Sequence, residues 1–377
     1  PASRAGAADL NVGSAGLTLA ANMTVTGNVT VNGGTLDING YTLTVTGNLT
    51  ITGNNSWLKM VKPADVVDVA GNVTFNGASE QGYLTAGTMK VGGHFTQQGS
   101  SYTTSNGPAQ SNNRNSFSAT GTHKVILNGA GIQNISFEAA PAQDSHFQDL
   151  TISKPAGTLT TLISDDGEAL SDNFTTQGSW GIGTTAYNGQ GAWTDSPNGN
   201  YADSVNSSLT SKTISLANTQ GVYLSFVHRY DVEPSFDFCK LEVSTNNGTT
   251  WTEVASFTGK QDTWGLQLYD LSSYAGQASF QFRFRLASNI MVNADGWFID
   301  KIRFYTVSGS MVRFTNVPYI SGQWSLGADT LISNYNGGAI TFPAAPLDLA
   351  GHTLTVPYDL TINANTDLND GTLSAAA

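Results

Sequence analysis

Cysteine and long apolar runs are scarce in this chain of 377 residues. Cys239 is the only cysteine. Because one thiol cannot form a disulfide within the chain, stability must come from sheet packing, aided by metal where a site exists. We expect Cys239 itself to be buried and inert. Neither a signal peptide nor an apolar run of 18 residues is visible, so the sequence predicts no membrane-spanning helix.

Charge is also scarce, and what there is has mostly one sign. Only 12% of the residues are charged, and 28 Asp and Glu face 16 Lys and Arg, which gives a formal net charge of −12. Nucleic acids and anionic membranes attract proteins that carry basic patches. The charge balance therefore argues against both of these partners, and it is compatible with bound calcium.

Helical periodicity is missing as well. No stretch sustains the 3.6-residue apolar period of an amphipathic helix. Glycine is abundant, with 41 residues, and Asn, Ser and Thr recur throughout the chain. This composition suits long β-sheets joined by tight turns. The sequence therefore predicts an all-β protein.

A Gly-Asn turn flanked by alternating apolar residues and threonines repeats along the first hundred residues. Three copies are Val25–Thr30, Val45–Thr50 and Val69–Thr74, and Val91–Thr96 is a looser fourth copy. The steps between copies are 20, 24 and 22 residues, the length of one coil of a β-solenoid. A unit of this kind buries its apolar face only by stacking on its neighbours. The repeat predicts a parallel β-solenoid with Val, Ile and Leu pointing inward.

Near residue 165 the composition changes. Aromatic residues become frequent, and strands such as Tyr223–Tyr230 and Ser279–Leu286 are longer and mixed with charge. In the second of these, Phe alternates with Gln and Arg, which predicts one face in a core and one in solvent. The strand lengths and turn spacing favour a two-sheet β-sandwich.

The repeat pattern of the first hundred residues returns near the C-terminus. Leu347–Asn365 aligns without a gap onto Leu36–Asn54, and more than half of the paired positions are identical. We therefore predict β-solenoid over residues 1–164 and 308–377, interrupted by an inserted β-sandwich jelly roll over residues 165–307. The alternative is a string of three separate domains.

The central segment resembles a known module. The matching blocks are Asp172–Phe174, Asp195–Tyr201, His228–Glu233, Leu241–Trp251 and Gly296–Ile302. In this order they resemble, over residues about 170–306, the MAM-like jelly-roll domain that accompanies immune-inhibitor-A-type metalloproteases. The flanking regions resemble β-solenoid repeats of bacterial surface proteins. The resemblance implies an accessory module that engages ligands or surfaces, often stabilised by calcium. It does not imply a protease, because the chain has no His-Glu-x-x-His motif.

Calcium is the cofactor that these residues suggest. By the resemblance, the carboxylates of Asp172, Asp195 and Asp300 would converge as a structural calcium site, since calcium prefers six to eight oxygen ligands. Lys301 stands where the family often has a second acid, which weakens the assignment. A second acidic group consists of Asp231, Glu233 and Asp237. The alternative is that both groups are solvated acidic rims.

Catalysis finds no support in the sequence. Solenoid enzymes that act on polysaccharides need carboxylates clustered on one face. The first solenoid segment offers four acidic candidates that share no register, namely Asp37, Asp65, Asp68 and Glu80. The five histidines show no paired metal spacing, and we predict that the protein is not an enzyme. The threonines of Thr42–Thr46 also suggest ice binding as a function, but the outward threonines lose register after two coils.

Two functional hypotheses follow. In the first, the protein is a secreted or cell-surface adhesin or structural subunit whose uncapped coils stack head-to-tail on copies of itself, so that a filament or layer forms. In the second, it is a carbohydrate-binding accessory region of a larger secreted protein. Its aromatic-rich domain would then bind cell-surface or matrix glycans. Neither hypothesis involves nucleic acid.

Overall fold

The computed structural model describes residues 4–98, 114–138, 144–155, 157–315, 319–334, 340–342, 346–356, 360–362, 366–367 and 371–375. Across these residues the only helix is the short 3-10 turn Ser272–Tyr274, and the other elements are strands. The prediction of an all-β protein is therefore confirmed. The chain forms two compact units. The central unit is Leu159–Ser308, and the flanking unit is built from residues on both sides of it.

Two ten-stranded parallel sheets, here named the first and second ladders, make up most of the flanking unit. The strands of the first ladder, in order, are Arg4–Ala7, Met23–Val25, Thr42–Val45, Val66–Val69, Thr88–Val91, Lys124–Leu127, Asp149–Ile152, Trp324–Leu326, Leu347–Asp348 and Thr366–Asp367. Those of the second ladder are Leu10–Val12, Val29–Val31, Leu49–Gly53, Val73–Gly77, Phe95–Gln97, Ile132–Phe137, Met311–Phe314, Thr330–Asn334, Thr353–Val356 and Thr372–Ala375. The chain visits the two ladders alternately.

Each ladder stacks equivalent residues of successive repeats. In the first ladder, Val45 pairs with Val25 on one side and with Val69 on the other. All three side chains are at most 1% exposed. The same column continues through Val91, Leu127, Ile152 and Leu326. Because side chains alternate across a strand, every second residue joins such a buried column, and the threonines between them face outward.

The Gly-Asn turns are explained by contacts between neighbouring repeats. The backbone N–H of Gly47 donates to the carbonyl oxygen of Gly27 at 2.9 Å. A Cβ at Gly47 would lie 2.5 Å from that oxygen, so only glycine allows this approach. The Asn48 N–H donates to the Asn28 side-chain oxygen at 2.9 Å, and the Asn48 side-chain oxygen accepts from the Asn72 N–H at 2.7 Å. The asparagines thus form a hydrogen-bonded ladder along the turns.

The ladders continue from one side of the central segment to the other. Ile152 pairs with Leu326, and Ile132 pairs with Met311. Buried Lys154 lies at this junction, where its Nζ donates to the carbonyl oxygens of Gly131 and Met311 at 2.8 and 2.9 Å. The residues of these two pairs are 174 and 179 positions apart in the chain. Of the C-terminal repeat, residues 357–359 and 363–365 lie outside the described part of the chain.

A smaller parallel sheet, here named the third sheet, also belongs to the flanking unit. Its strands are Leu17–Thr18, Thr35–Asp37 and Trp57–Lys59. Leu36 and Leu58 point into the core and are fully buried, while their neighbours in each strand face outward. A further pair of strands is Ile340–Phe342 and Leu360–Ile362.

The central unit consists of two sheets around one apolar core. The six-stranded sheet contains Thr158–Asp165, Gly181–Gly183, Ala192–Thr194, Gly221–Asp231, Lys260–Asp270 and Gly296–Ser308. The antiparallel five-stranded sheet contains Phe174–Gln177, Asn206–Ser211, Phe238–Ser244, Thr252–Phe257 and Gln281–Ala287. The strand Thr158–Asp165 pairs with Gly296–Ser308, so sheet pairing begins before the boundary at 165 expected from the sequence.

Most aromatic residues of the central unit lie in its core. Facing sheets are about 10 Å apart, and large rings from both fill the space between them. The buried rings of this core are those of Phe174, Trp180, Trp193, Tyr201, Phe226, Phe280, Phe282, Phe284, Trp297 and Phe304. The expected alternation of Gln281–Ala287 is observed, since Phe282 and Phe284 are fully buried between partly exposed neighbours. The abundance of aromatics is therefore mainly a property of packing, and only a few rings remain for binding.

Candidate functional site

The three carboxylates expected to hold calcium lie in different environments. Asp172 is exposed. Asp195 is fully buried, and its Oδ1 accepts the Trp297 N–H at 2.6 Å while Oδ2 has no hydrogen-bond partner in the protein. Burial raises the pKa of Asp195 to about 7. Asp300 is also fully buried, and its Oδ2 accepts the N–H groups of Tyr187 and Asn188 at 3.0 and 3.3 Å.

The second acidic group is engaged by protein donors. Asp231 forms an ion pair with Lys260 at 2.9 Å. Glu233 accepts from the side chain of Asn289 at 2.8 Å. Buried Asp237 accepts from the Tyr201 hydroxyl at 2.6 Å and from the Asn289 N–H at 2.7 Å. Within the described part of the chain, no three His, Cys, Asp or Glu side chains come close enough to form a metal site. Calcium binding stays a prediction, with the unpartnered Oδ2 of Asp195 as its best anchor.

Two of the carboxylates of the central unit fix a loop that sequence reasoning did not single out. Asp300 binds the N–H groups of Tyr187 and Asn188, as described above. Glu168 accepts the Gln190 N–H with both oxygens, at 3.1 and 3.0 Å. Carboxylates that accept backbone N–H groups form strong, charge-assisted hydrogen bonds. The loop around residue 187 is therefore held at two points.

This anchored loop presents an aromatic pair. The Tyr187 side chain is 53% exposed. Its ring meets that of Trp264 edge to face, with centroids 6.0 Å apart and planes at 62°. Leu266, two residues further along the same strand, is 46% exposed and faces the same side. We name Tyr187, Trp264 and Leu266 the aromatic corner. Tyr187 is the more exposed of the two rings, and Trp264 is partly exposed, so the pair presents ring surface to solvent.

Hydrogen-bonding groups lie on the same outer face of the six-stranded sheet. Arg229 stacks over the ring of Phe298 at 4.6 Å and pairs with Asp295 at 2.6 Å. Lys301 follows Asp300 directly and pairs with Asp166 at 3.3 Å. Lys301, which weakened the calcium assignment, thus belongs to a surface of paired charges. Such a surface offers donors and acceptors to a neutral polar ligand without a net charge.

The acidic residues of the first repeats do not form a catalytic cluster. Asp37 pairs with Lys59 at 2.8 Å, and Asp68 lies 3.7 Å from Lys90. Buried Asp65 accepts the N–H groups of its own turn at 2.8 Å. Buried Glu80 accepts the Leu58 N–H at 2.9 Å. Each carboxylate therefore has its own structural partner.

Buried titratable groups elsewhere also have structural roles. His123 lies in the core of the flanking unit, and burial lowers its pKa to about 3. His228 accepts from the indole N–H of Trp297 at 3.1 Å, and burial lowers its pKa to about 4. Cys239 is fully buried, as expected, and burial raises the pKa of its thiol well above the usual range. A thiol in this state is unreactive.

Comparisons with known proteins give one relative by sequence. Bacillopeptidase F of Bacillus subtilis (strain 168) is 29% identical over 127 residues, which are 33% of this chain and 9% of that protein. The similarity thus spans less than a tenth of the length of that protein. No family model matches the chain. No helix in the described ranges is long and apolar enough to cross a membrane.

Solved structures resemble part of the chain at low identity. The CBM22-1 xylan-binding domain of Xyn10C from Paenibacillus barcinonensis is 15% identical and has a TM-score of 0.31, covering 41% of this chain and 97% of the domain. The K1 cleaved adhesin domain of Lys-gingipain from Porphyromonas gingivalis W83 is 14% identical and has a TM-score of 0.29, covering 39% of this chain and 98% of the domain. Scores in this range carry no argument about function.

Proposed function

We propose that this chain is a non-catalytic, carbohydrate-binding accessory region of a secreted or cell-surface protein. The observation that carries the proposal is the aromatic corner, an exposed ring pair on a loop fixed by two carboxylates. Sugars are bound in proteins by stacking their C–H faces on aromatic rings, while polar side chains hold the hydroxyls. The paired charges beside the corner supply those polar groups.

Preorganisation strengthens this interpretation. A ligand that has to order a loop loses affinity to the entropy of that ordering. Here Asp300 and Glu168 already fix the loop that carries Tyr187, so little ordering remains. The alternative role of Asp300, calcium ligation, would compete with its hydrogen bonds to the loop.

The proposal is tested by removing the rings. We expect the double variant Tyr187→Ala/Trp264→Ala to lose binding to the glycans that the wild type retains on a glycan array, with affinity at least about tenfold weaker. Phe236→Ala is the matched control, because Phe236 is 62% exposed in the same unit but outside the corner. Equal glycan binding by the double variant and the control would refute the role of the corner.

The architecture behind this function is also proposed. We infer that the two ladders are faces of one β-solenoid and that the central unit is an inserted jelly roll stabilised by calcium. Parallel pairing at steps of 20 to 24 residues, continuing from Ile152 to Leu326, supports the solenoid. Calcium stabilisation requires that a chelator lower the melting temperature of the central unit.

The head-to-tail filament predicted from the sequence stays a prediction. Stacking of one copy on another would extend the ladders by the same hydrogen bonds that join the repeats. Electron microscopy of concentrated protein decides this point, since dispersed particles alone would reject self-assembly.

A further inference from the structure

An open groove of about 740 Å³ lies on the third sheet of the flanking unit. Its lining comes from four successive passes of the chain, within residues 14–18, 33–37, 57–59 and 82–83. The groove is separate from the aromatic corner, since every residue that lines it belongs to the flanking unit. Nothing derived above from the central unit bears on it.

The register of the third sheet sets the outward residues in two columns. Thr35 pairs with Trp57, and Asp37 pairs with Lys59. Thr18 pairs with Asp37 and extends the second column by one pass. The buried residues between them, Leu36 and Leu58, belong to the core. The groove surface is therefore a regular array with one residue of each column per pass.

Backbone forms part of the floor of the groove, because glycines there have no room for a side chain. A Cβ at Gly34 would overlap the carbonyl oxygen of Gly13 and lie 2.8 Å from the Gly16 nitrogen. Gly16 has a φ of +65°, and a Cβ there would lie 2.9 Å from the Thr35 carbonyl oxygen. The two glycines therefore allow these passes to approach closely and present no side chain, whereas the later passes carry large side chains.

Two aromatic rings close the groove at the later passes. Trp57 and Tyr83 stack with centroids 5.7 Å apart and planes at 16°. In a stacked pair each ring has one face covered by the other. Tyr83 comes from the pass after Trp57, and Thr35 from the pass before it. The other face of the indole is on the side of Thr35, its register partner, whose side chain is much shorter than the indole.

The aromatic pair is supported from within the fold by Glu80. The buried Glu80 side chain accepts the Leu58 N–H at 2.9 Å, between Trp57 and Lys59. Its carbonyl oxygen accepts the Tyr83 N–H at 3.0 Å. One residue thus positions the backbone under both rings. A buried acceptor of this kind fixes the platform before any ligand arrives.

The polar lining is neutral overall. Asp37 and Lys59, joined at 2.8 Å, are the acid and the base of the groove lining, and the hydroxyls of Thr18 and Thr35 stand beside them. A paired acid and base provide both acceptors and donors for hydroxyl groups, without favouring an anion or a cation. Hydrolysis of a glycosidic bond needs two carboxylates on opposite sides of the scissile bond. Asp37 is the only carboxylate of the lining, so the groove is suited to binding.

We propose that this groove binds a neutral, unbranched polysaccharide, with one sugar ring stacked on the free face of Trp57 and its hydroxyls held by Asp37 and Lys59. Three steps of about 4.8 Å between four passes make the groove roughly 14 Å wide. A sugar ring stacked on Trp57 lies across this direction, so the groove holds a short segment of the polysaccharide. A flat pyranose chain, such as a β-1,4-linked glucan or xylan, matches a flat ring platform beside a backbone floor. The inference is independent of the function proposed for the central unit.

The experiment measures binding of β-1,4-linked glucose and xylose oligosaccharides of two to six units by titration calorimetry, with polygalacturonate oligomers as the charged comparison. We expect affinity for the neutral series to rise up to about three or four units and then level off. We expect the charged series to bind at least tenfold more weakly. Absence of binding by both neutral series would overturn the inference, and so would stronger binding of the charged series.

Two variants locate the site. Trp57→Ala removes the platform, and we expect at least tenfold weaker binding. Thr35→Trp adds a ring beside the free face of Trp57 and blocks the groove while the sheet is kept, so we expect the same loss in a folded protein. Tyr41→Ala, a half-buried tyrosine of the same unit outside the groove, is the matched control.

The variants of the two units separate the two proposals. If Tyr187→Ala/Trp264→Ala abolishes all binding and the groove variants do not weaken it, the groove inference is wrong and the proposed function stands. If the groove variants alone abolish binding, the groove is the site and the proposed role of the aromatic corner is wrong. Independent losses in both sets support both sites.

Discussion

The flanking and central units bury apolar side chains by different rules. In the first passes of the flanking unit, buried positions repeat a neighbour from the adjacent pass, as Val25, Val45 and Val69 do. In the central unit, rings from two different sheets interlock, as Phe226 and Phe284 do with centroids 4.9 Å apart. Repetition lets small side chains fill the core of these first passes, whereas phenylalanines such as Phe75 and Phe95 fill that of later passes. A sandwich without repetition relies on large side chains placed individually.

The two units also treat buried polar groups differently. Along the Gly-Asn turns, each asparagine accepts a backbone N–H from the next repeat, so the same bond recurs. In the central unit, buried carboxylates such as Asp237 and Asp300 each fix a different loop. The repeats thus satisfy their polar groups with one hydrogen-bond arrangement that recurs from turn to turn. The central unit uses a different hydrogen-bond arrangement for each buried carboxylate. Some of these arrangements fix surface loops that are suited to binding.

Truncation of a single core residue should have the largest effect, because the two units fill their apolar cores differently. Phe284→Ala removes a fully buried ring that also packs against Trp297 at 5.4 Å, and we expect a loss of about 4 kcal/mol for the central unit. Val45→Ala removes less volume, and we expect about 2 kcal/mol for the flanking unit. Chemical denaturation monitored by a probe in each unit measures both values. Equal losses would show that the two cores respond alike to lost volume.

Substitution of a glycine in the Gly-Asn turns should give the next largest loss of stability. Gly71→Ala places a Cβ against the carbonyl oxygen of Gly47, so we expect the flanking unit to lose about 3 kcal/mol through overpacking. Gly13→Ala is the matched control, since a Cβ there meets nothing within 4 Å. Thermal unfolding measures the two variants side by side. Comparable melting temperatures would contradict the close approach of neighbouring turns.

Much of the flanking unit was predictable because its repeat length is visible in the sequence. A fixed spacing between Gly-Asn turns places Val25, Val45 and Val69 in one column, and two-residue alternation then gives the inward positions. The groove was not predictable in the same way. It depends on which outward residues meet across passes, and Trp57 meets Tyr83 only through the register set by the bridge between Met60 and Leu84.

The central unit was predictable in class but not in its site. The alternation of Ser279–Leu286 correctly gave the inward phenylalanines, since periodicity is a local property. The aromatic corner joins two distant segments, so no local pattern reports it. The sequence also does not tell whether a carboxylate such as Asp300 faces a metal or backbone N–H groups, because that choice depends on the path of the loop around Tyr187.

A buried lysine should make the flanking unit sensitive to pH. Burial lowers the pKa of Lys154 from 10.5 to about 7. Between these values the unfolded chain binds the proton more tightly, so stability should rise as pH increases from 7 to 10.5, by at most about 1.4 kcal/mol per pH unit. Lys154→Met should lack this rise in calorimetric scans of the flanking unit. An unchanged pH profile in the variant would assign the effect to other groups.

Asp195 should make the stability of the central unit fall with increasing pH, which is opposite to the effect of Lys154. Its pKa shift is slightly smaller than that of Lys154. Burial raises its pKa from 3.8 to about 7, so the folded unit holds the proton more tightly than the unfolded chain. Its stability contribution should fall as pH increases from about 4 to 7 and stay low above that range. Calorimetry in chelator measures this fall, and Asp195→Asn should remove it while keeping the hydrogen bond from the Trp297 N–H.

The same variant decides between a buried neutral acid and a calcium ligand. A neutral acid that is forced to ionise at pH 8 destabilises the fold, so Asp195→Asn should then raise the melting temperature, whether or not calcium is present. A ligand carboxylate gives the reverse, because calcium stabilises the folded unit that binds it and Asn is a weaker ligand. Asp203→Asn is the matched control, since Asp203 is exposed and belongs to neither of the two acidic groups. A calcium-dependent loss at Asp195 alone would make calcium part of the central unit and rule out the neutral form of this acid.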